Sequence, residues 1–142
     1  MSHWYELDLQ LTHPSAEQFY EYNLLNRCSD TAGFNLVCVQ PTTLRLDQVT
    51  RLHLGVAATL SKVTEDGTRE PSHFWLVPHA STFEKGVMLM VNVIDRSHRG
   101  ELTVPVWSLV QNTDLAIGQQ LFQLVAPDLG WIRHVRVVQN AT

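Results

Sequence analysis

Residues 92–101 read N-V-I-D-R-S-H-R-G-E, and this stretch decides the fold. An extended apolar run leads into it, a polar segment follows, and Gly100 closes that segment before the next extended run begins. Asp95 stands where a carboxylate opens a turn by bonding forward to backbone amides. Two extended segments joined by a polar loop that ends in glycine predict a β-hairpin. On this stretch alone, Asp95 is interpreted as a turn residue.

The rest of the chain also has the periodicity of strands. Residues 4–11 alternate W-Y-E-L-D-L-Q-L, with the leucines on one face, as in a half-buried strand. The run at 87–94 is apolar nearly throughout and predicts a strand covered on both faces. A helix of one or two turns fits 14–25, with Ser15 as its cap. The other predicted strands are 33–39, 45–48, 51–60, 73–78, 101–109 and 131–138. Short strands at this spacing predict a single all-β domain over residues 1–142, a barrel or a sandwich.

The composition limits the partners of the protein. The 142 residues are 44% hydrophobic and 17% charged, with a formal net charge of -4 and a pI near 5.9. Neither an acidic balance nor scattered basic residues favour binding to nucleic acid or to an anionic membrane. No apolar run approaches the roughly 20 residues that span a bilayer, and no secretory signal precedes the first strand. We therefore expect an intracellular protein whose cysteines, Cys28 and Cys38, are reduced.

Four segments, in order over roughly residues 30–126, resemble the sequence motifs of the trimeric dUTPase family. Each segment is weak by itself, but four in the family's order, with matching strands between them, are specific. The four segments are T-A-G-F-N-L at 31–36, P-H-A-S at 78–81, the hairpin at 92–101 and G-Q-Q-L-F-Q-L at 118–124.

The resemblance implies a dUTPase-like fold of the β-clip type, a distorted β-barrel that assembles as a homotrimer. In that family each active site is built from segments of different subunits, and a C-terminal strand crosses to a neighbour. Residues 131–138 are the candidate for this exchanged strand. A strand that stays within its own barrel is an equal alternative.

The resemblance also assigns roles to individual residues. Asp95 takes the position of the aspartate that deprotonates the attacking water, which is general-base catalysis of a metal-assisted hydrolysis. Asn35 replaces an aspartate that supports Mg²⁺, and it is the candidate metal residue if the protein is active; otherwise no cofactor is expected. The positions aligned with substrate contacts are Asn92, Val93, His98, His79, Ser81 and Gln123.

Several of these positions depart from the family pattern. His79 and Ala80 stand where an arginine and a serine clasp phosphate oxygens, and an imidazole cannot form the arginine fork. Asn35 is a weaker ligand than aspartate for a hard cation. Asn92 replaces a glycine that lets the base approach the backbone, and His98 replaces an aromatic residue below the sugar. The sequence also lacks the family's fifth motif, a Gly-rich arm that contains an arginine.

Two functions of different class follow from this pattern. The first is a catalytically lapsed dUTPase-like protein, retained as a trimeric binding or structural module. Such a module could be a viral or phage accessory protein or a virion protein, and we would then expect it in the host cytoplasm, the nucleus or the virion. The second is an active dUTP diphosphatase, or a related nucleotide hydrolase, that uses Asp95 and Mg²⁺. A dCTP deaminase is a third hypothesis, whose catalytic glutamate and arginine–serine motif do not align. The chain has several more residues around 64–72 than the family requires. This extra segment predicts either a solvated hairpin or a loop that binds a protein partner.

Overall fold

The computed structural model describes residues 2–28 and 30–139. Among these residues there is one α-helix, α1 (Glu17–Leu25), which follows a short 3-10 turn at Pro14–Ala16, and a second 3-10 segment spans Ala80–Lys85. The remaining regular structure is strand. The strands are β1 (His3–Leu11), β2 (Gly33–Val37), β3 (Thr42–Leu44), β4 (Thr50–His53), β5 (Val56–Thr64), β6 (Arg69–Ser72), β7 (Phe74–Pro78), β8 (Val87–Leu89), β9 (Asn92–Ile94), β10 (Thr103–Ser108), β11 (Thr113–Leu115), β12 (Gln120–Val125) and β13 (Ile132–Val138).

The described strands are divided among four sheets. Their orders are β13-β1-β5-β6, β4-β10-β8, β11-β3 and β2-β12-β7-β9. The all-β prediction is confirmed. The closed barrel is not seen among the described strands, because none of the four sheets closes on itself.

Alternation along β1 produces the core as predicted. Tyr5, Leu7, Leu9 and Leu11 are buried, and they alternate with residues that are exposed or half-buried. β5 pairs with β1 over its whole length and contributes its own alternating apolar face. Burial of such side chains, worth about 1.5–3 kcal/mol each, holds the two strands to the core.

The helical segment is where the sequence predicted it, but its cap is different. His13 caps the 3-10 turn, because its Nδ1 accepts the Ser15 N–H at 3.3 Å, and α1 itself begins without a side-chain cap. The prediction of Ser15 as the cap is therefore wrong. Tyr20 is fully buried and links α1 to the sheets. Its hydroxyl donates to the Leu54 carbonyl at 2.6 Å and accepts from Val37 N–H at 3.2 Å.

Three strand predictions are wrong. Residues 51–60 are not one strand, because β4 ends at His53 and pairs with β10, whereas β5 begins at Val56 and pairs with β1. The run at 87–94 is not one doubly covered strand, since β8 pairs with β10, β9 pairs with β7, and Met90, Val91 and Val93 are all more than half exposed. Residues 45–48 form a turn after β3, in which Asp47 has a φ of 60°.

The last strand bears on the alternative left open for residues 131–138. β13 pairs in parallel with β1 of its own chain, from Tyr5 opposite Ile132 to Gln10 opposite Val138. Within the single chain this is the arrangement of a strand that stays in its own subunit. Exchange of residues 131–138 between the subunits of a trimer stays a prediction. The 64–72 segment completes the other side of the sheet as the β5–β6 hairpin, whose tip is exposed.

Candidate functional site

A cleft of about 330 Å³ lies where α1 faces the sheet that contains β2 and β12. Three of the four sequence motifs meet in it, since residues from the first, second and fourth motifs all contribute to its walls. The described residues that line it are Tyr22, Asn23, Asn26, Arg27, Cys28, Thr31, Gly33, Phe34, Asn35, His79, Gln120 and Gln123.

Strand register places the predicted residues of this cleft side by side. Asn35 on β2 lies directly opposite Gln123 on β12, and Gln123 is opposite Val77 on β7. β2 can approach β12 this closely because Gly33 has no side chain, and a Cβ there would lie 2.4 Å from the Leu124 carbonyl oxygen. Asn35 and Gln123, which belong to different motifs, therefore line one cleft.

His79 reaches the cleft from the end of β7, but its ring is engaged locally. Its Nδ1 lies 2.9 Å from Ser81 Oγ and accepts the Ser81 backbone N–H at 3.3 Å. A nitrogen that accepts a backbone N–H carries no proton, so this interaction requires the neutral imidazole. In this structure His79 and Ser81 therefore bond to each other at the start of the 3-10 segment Ala80–Lys85.

The helical wall of the cleft supplies residues that the motif comparison missed. Asn23 of α1 and Gln120 of β12 form a reciprocal amide pair, with bonds of 3.2 and 2.9 Å, and Asn23 also donates to the Asn35 carbonyl at 2.9 Å. Arg27, just beyond α1, is the one described cationic side chain that lines the cleft. Asn23 and Arg27 precede the first motif, and only Asn23 lies within the helical pattern at 14–25. Gln120 belongs to the fourth motif, in which the resemblance assigned a contact to Gln123 alone.

The predicted hairpin at 92–101 lies outside this cleft. The prediction that its two flanking strands pair is wrong, because β9 pairs with β7, whereas β10 pairs with β4 and β8 in another sheet. Asp95 has a side chain that is 75% exposed, and His73 Nδ1 lies 3.7 Å from its Oδ1. That Nδ1 accepts the Arg96 backbone N–H at 2.9 Å, so it has no proton to donate to the carboxylate. Asp95 begins a turn, since its backbone carbonyl accepts from His98 N–H at 2.9 Å. This bond is made by the main chain and not by the carboxylate that the sequence predicted to open the turn.

The other residues of this segment that the resemblance aligned with substrate contacts each have different neighbours. Asn92 opposes Leu76 across β7–β9 and donates to the Met90 carbonyl at 2.8 Å, while Val93 is 55% exposed beside Trp75. His98 is exposed, with Nε2 3.5 Å from the Glu101 carbonyl. The single chain thus brings His79, Asn35 and Gln123 together and leaves the hairpin residues apart from them.

Glu101, at the end of the hairpin, ties the loop to the core. Its carboxylate accepts from His53 Nδ1 at 2.6 Å, from Thr12 Oγ1 at 2.8 Å and from Gly55 N–H at 3.2 Å. Burial opposes the charge, but the His53 and Thr12 hydrogen bonds outweigh it and hold the pKa of Glu101 below its usual range. This anchor fixes the position of the hairpin.

The residues of the cleft do not fit a Mg²⁺ ion. Among the residues that the structure describes, no three His, Cys, Asp or Glu side chains are grouped as metal ligands would be. Asn35 offers only a neutral amide oxygen, and the described lining contains no carboxylate beside it. Hard cations prefer charged oxygen ligands, so this set of donors is poorly suited to hold one.

These sheets define a small all-β protein with a cleft beside the β2–β12 pair, and polar side chains line most of that cleft. More specifically, the chain has a dUTPase-like fold. It is similar to the dUTPase of Staphylococcus bacteriophage 80alpha (TM-score 0.61, 13% identity, covering 84% of this chain and 87% of that one) and to the dUTPase from phage phi11 of S. aureus (0.63, 14%, 84% and 87%). The dUTPase from Streptococcus mutans is similar at TM-score 0.59 and 18% identity, over 83% and 92% of the two chains.

No protein-family model and no curated protein matches the sequence. In the described part of the chain, no helix has both the length and the apolar character that crossing a membrane requires.

Proposed function

We propose that this protein is a catalytically lapsed dUTPase-like protein, used as a trimeric binding or structural module. The observation that carries the proposal is the engagement of His79. Its Nδ1 serves as a neutral acceptor for Ser81, where a hydrolase of this kind would need a charged fork for phosphate oxygens. Removal of one preorganised charge donor of this kind typically costs about 10²–10³ in rate.

The charge of the cleft supports the same conclusion. A nucleoside triphosphate carries several negative charges, and its hydrolysis needs cations that neutralise the charge developing on the leaving group. The described lining has the Arg27 guanidinium, no carboxylate to retain a metal, and otherwise neutral side chains. The amide of Asn35 does not replace the missing acid. Binding of a triphosphate here is therefore unfavourable.

The hairpin offers a carboxylate without the surroundings of a base. A general base is held by neighbouring groups within reach of the proton that it removes. Asp95 is 75% exposed, and the ring nearest to it donates no proton to orient it. We assign Asp95 to the turn, and with it the aligned positions Asn92, Val93 and His98.

Exposed apolar residues favour self-association. Trp75 and Val93 face each other across β7–β9 and are 39% and 55% exposed, and Met90 and Val91 continue this surface at 56% and 51%. Clusters of exposed apolar side chains mark protein interfaces. We propose that a homotrimer covers this surface, and that its symmetry brings the hairpin of one copy to the cleft of the next.

The proposal extends to the setting of the protein. The exposed tip of the 64–72 hairpin would appear three times in such a trimer and is proposed as the surface that binds a protein partner. Two of the similar structures are phage dUTPases. We therefore propose a viral or phage accessory or virion protein, located inside the host cell or in the virion.

Calorimetry with a non-hydrolysable dUTP analogue and Mg²⁺, paired with a pyrophosphate-release assay on dUTP, tests the lapsed activity. We expect neither binding at about millimolar nucleotide nor turnover above the blank. Micromolar binding with turnover that disappears in Asp95→Asn would establish the active diphosphatase instead. Glu65→Gln, in the exposed β5–β6 turn, is the matched control, because it removes one carboxylate far from the hairpin loop in sequence.

Sedimentation velocity tests the assembly separately. We expect a species of three times the chain mass that persists on dilution. Val93→Lys, placed in the exposed apolar surface, is expected to shift the protein to monomer, because burying an unpaired ammonium at an interface is costly. A wild-type protein that sediments as a monomer would contradict the trimer.

A further inference from the structure

Arg27 has more donors than the described residues supply acceptors. Its Nη2 donates to the Ile132 carbonyl oxygen, while its Nε is shielded from solvent and has no hydrogen-bond partner. None of the described ion pairs involves Arg27. Buried polar groups are normally satisfied, and an exception calls for an explanation such as a bound ligand. The site therefore lacks an acceptor.

The missing acceptor is also expected to carry charge. Burial lowers the pKa of the Arg27 guanidinium from its usual value, since its desolvation is not offset by a neighbouring anion. No aspartate or glutamate lines the part of the cleft that the structure describes. A cation half removed from water and without a counter-ion favours an incoming anion.

The rest of the lining is neutral and suited to hydrogen bonding. Five side-chain amides contribute donors and acceptors, and they belong to Asn23, Asn26, Asn35, Gln120 and Gln123. Asn23 and Gln120 bond to each other, which fixes the wall between α1 and β12. The cleft thus combines one positive charge with a polar, uncharged surface.

We propose that this cleft binds a ligand with a single carboxylate on a polar, amide-like body, and that Arg27 pairs with the carboxylate. The inference rests on the proposed function, since the cleft is free for another ligand only if it no longer serves a triphosphate. One guanidinium matches one carboxylate in charge and in planar geometry, whereas a phosphate chain would leave charge unpaired. A volume of about 330 Å³ accommodates a ligand of one to a few residues.

Two sources supply this chemistry: a small free carboxylic acid, or the C-terminal residues of a polypeptide. Titration of the ¹⁵N-labelled full chain, followed by two-dimensional NMR, distinguishes them. The probes are N-acetylglycine, N-acetyl-triglycine and the C-terminal amide of each. We expect the acids to shift the backbone signals of Arg27, Asn35 and Gln123 with a Kd of about 1–10 mM, and the amides to bind at least about tenfold more weakly. Equal affinity of the two acids indicates a small-molecule ligand, and tighter binding of the longer one indicates a C-terminus.

Variants assign the effect to the cleft. Arg27→Gln is expected to abolish the difference between acid and amide, whereas Arg136→Gln, which removes an exposed arginine paired with Asp8, should leave it unchanged. Because Arg27 also bonds to the Ile132 carbonyl, Gln123→Met provides a second variant that keeps the side-chain volume and should weaken acid binding several-fold.

Three results would overturn the inference: equal binding of acid and amide, no binding at all, or acid binding that neither Arg27→Gln nor Gln123→Met changes. Failure of the proposed function is a separate observation. Pyrophosphate release from dUTP would contradict the lapsed activity, whatever the acids do. If the acids cause no specific NMR shifts and dUTP is not hydrolysed, only the ligand assigned to the cleft is contradicted.

Discussion

Replacement of Tyr20 by phenylalanine removes one oxygen atom from the joint between α1 and the sheets. The Tyr20 side chain is fully buried, and its hydroxyl donates to the Leu54 carbonyl at 2.6 Å and accepts from Val37 N–H at 3.2 Å. Burial raises the pKa of the Tyr20 phenol well above its usual value, so the hydroxyl remains protonated in any ordinary assay. The substitution therefore leaves a buried carbonyl and a buried N–H without this partner.

The cost follows from these two groups. A buried donor or acceptor left unsatisfied costs about 1–3 kcal/mol, and the 3.2 Å bond is the weaker of the two. Phenylalanine fills the same space apart from the oxygen, so little is added for a cavity. We expect Tyr20→Phe to lower the free energy of unfolding by about 2–4 kcal/mol. Against a total of about 5–15 kcal/mol, this is a large fraction, and it corresponds to a fall in Tm of roughly 6–12 °C.

Urea denaturation at two protein concentrations measures this loss and separates it from any change in assembly. Tyr22→Phe is the matched control, because Tyr22 lies on the same helix and is 61% exposed; we expect it to change the stability by less than about 0.5 kcal/mol. Hydrogen exchange at the Val37 amide should accelerate in Tyr20→Phe alone. Equal losses in the two variants, or an unchanged Val37 amide, would refute the reasoning.

Three further perturbations test other parts of the fold. Glu101 has a pKa below its usual range, because the hydrogen bonds from His53 and further donors outweigh the effect of burial. The stability that the Glu101 carboxylate contributes is therefore present above its ordinary pKa and is lost as the pH falls through the lower pKa of the folded state. Glu101→Gln should therefore flatten the acid limb of a stability-against-pH curve, and a curve parallel to that of the wild type would contradict this. Gly118→Ala should lower the free energy of unfolding by at least about 1–2 kcal/mol in thermal melts, because Gly118 has a φ of 83° and the added Cβ would lie 2.6 Å from the Phe19 ring. An unchanged Tm would contradict this and would show that α1, which carries Phe19, moves away without cost. Asp66, whose pKa a threonine hydroxyl and a backbone N–H of its turn lower to about 2, organises the tip of the β5–β6 hairpin; Asp66→Ala should speed amide exchange at this tip and leave β1 protected.

Sequence reasoning was accurate where a local pattern has one physical interpretation. The alternation in residues 4–11 predicted β1, and the polar loop ending at Gly100 predicted the turn at Asp95. The run at 87–94 failed because continuous apolar character has no period, so it could not reveal that the chain leaves one sheet after β8 and joins another at β9.

The candidate site was only half predictable for a related reason. Asn35, His79 and Gln123 lie within motifs and were found in the cleft as expected. Asn23 lies on α1 and Arg27 just beyond it, and the orientation of this helix depends on tertiary contacts, above all the buried hydroxyl of Tyr20. Nothing local in the sequence indicates that these two side chains line the same cleft as Gln123.

The fold and the proposed loss of activity depend on different atoms, so the fold can persist where the activity does not. Gly33 is required by backbone geometry, because any Cβ there would lie 2.4 Å from the Leu124 oxygen, and the β2–β12 pair could not form. Asn35 and His79 line the cleft and not the contact between the two backbones. Replacement at these positions changes the charge of the cleft while the strands remain paired. Strong resemblance in the backbone-determined positions therefore predicts the fold, and only the cleft-facing side chains, tested by nucleotide and carboxylate binding, decide the function.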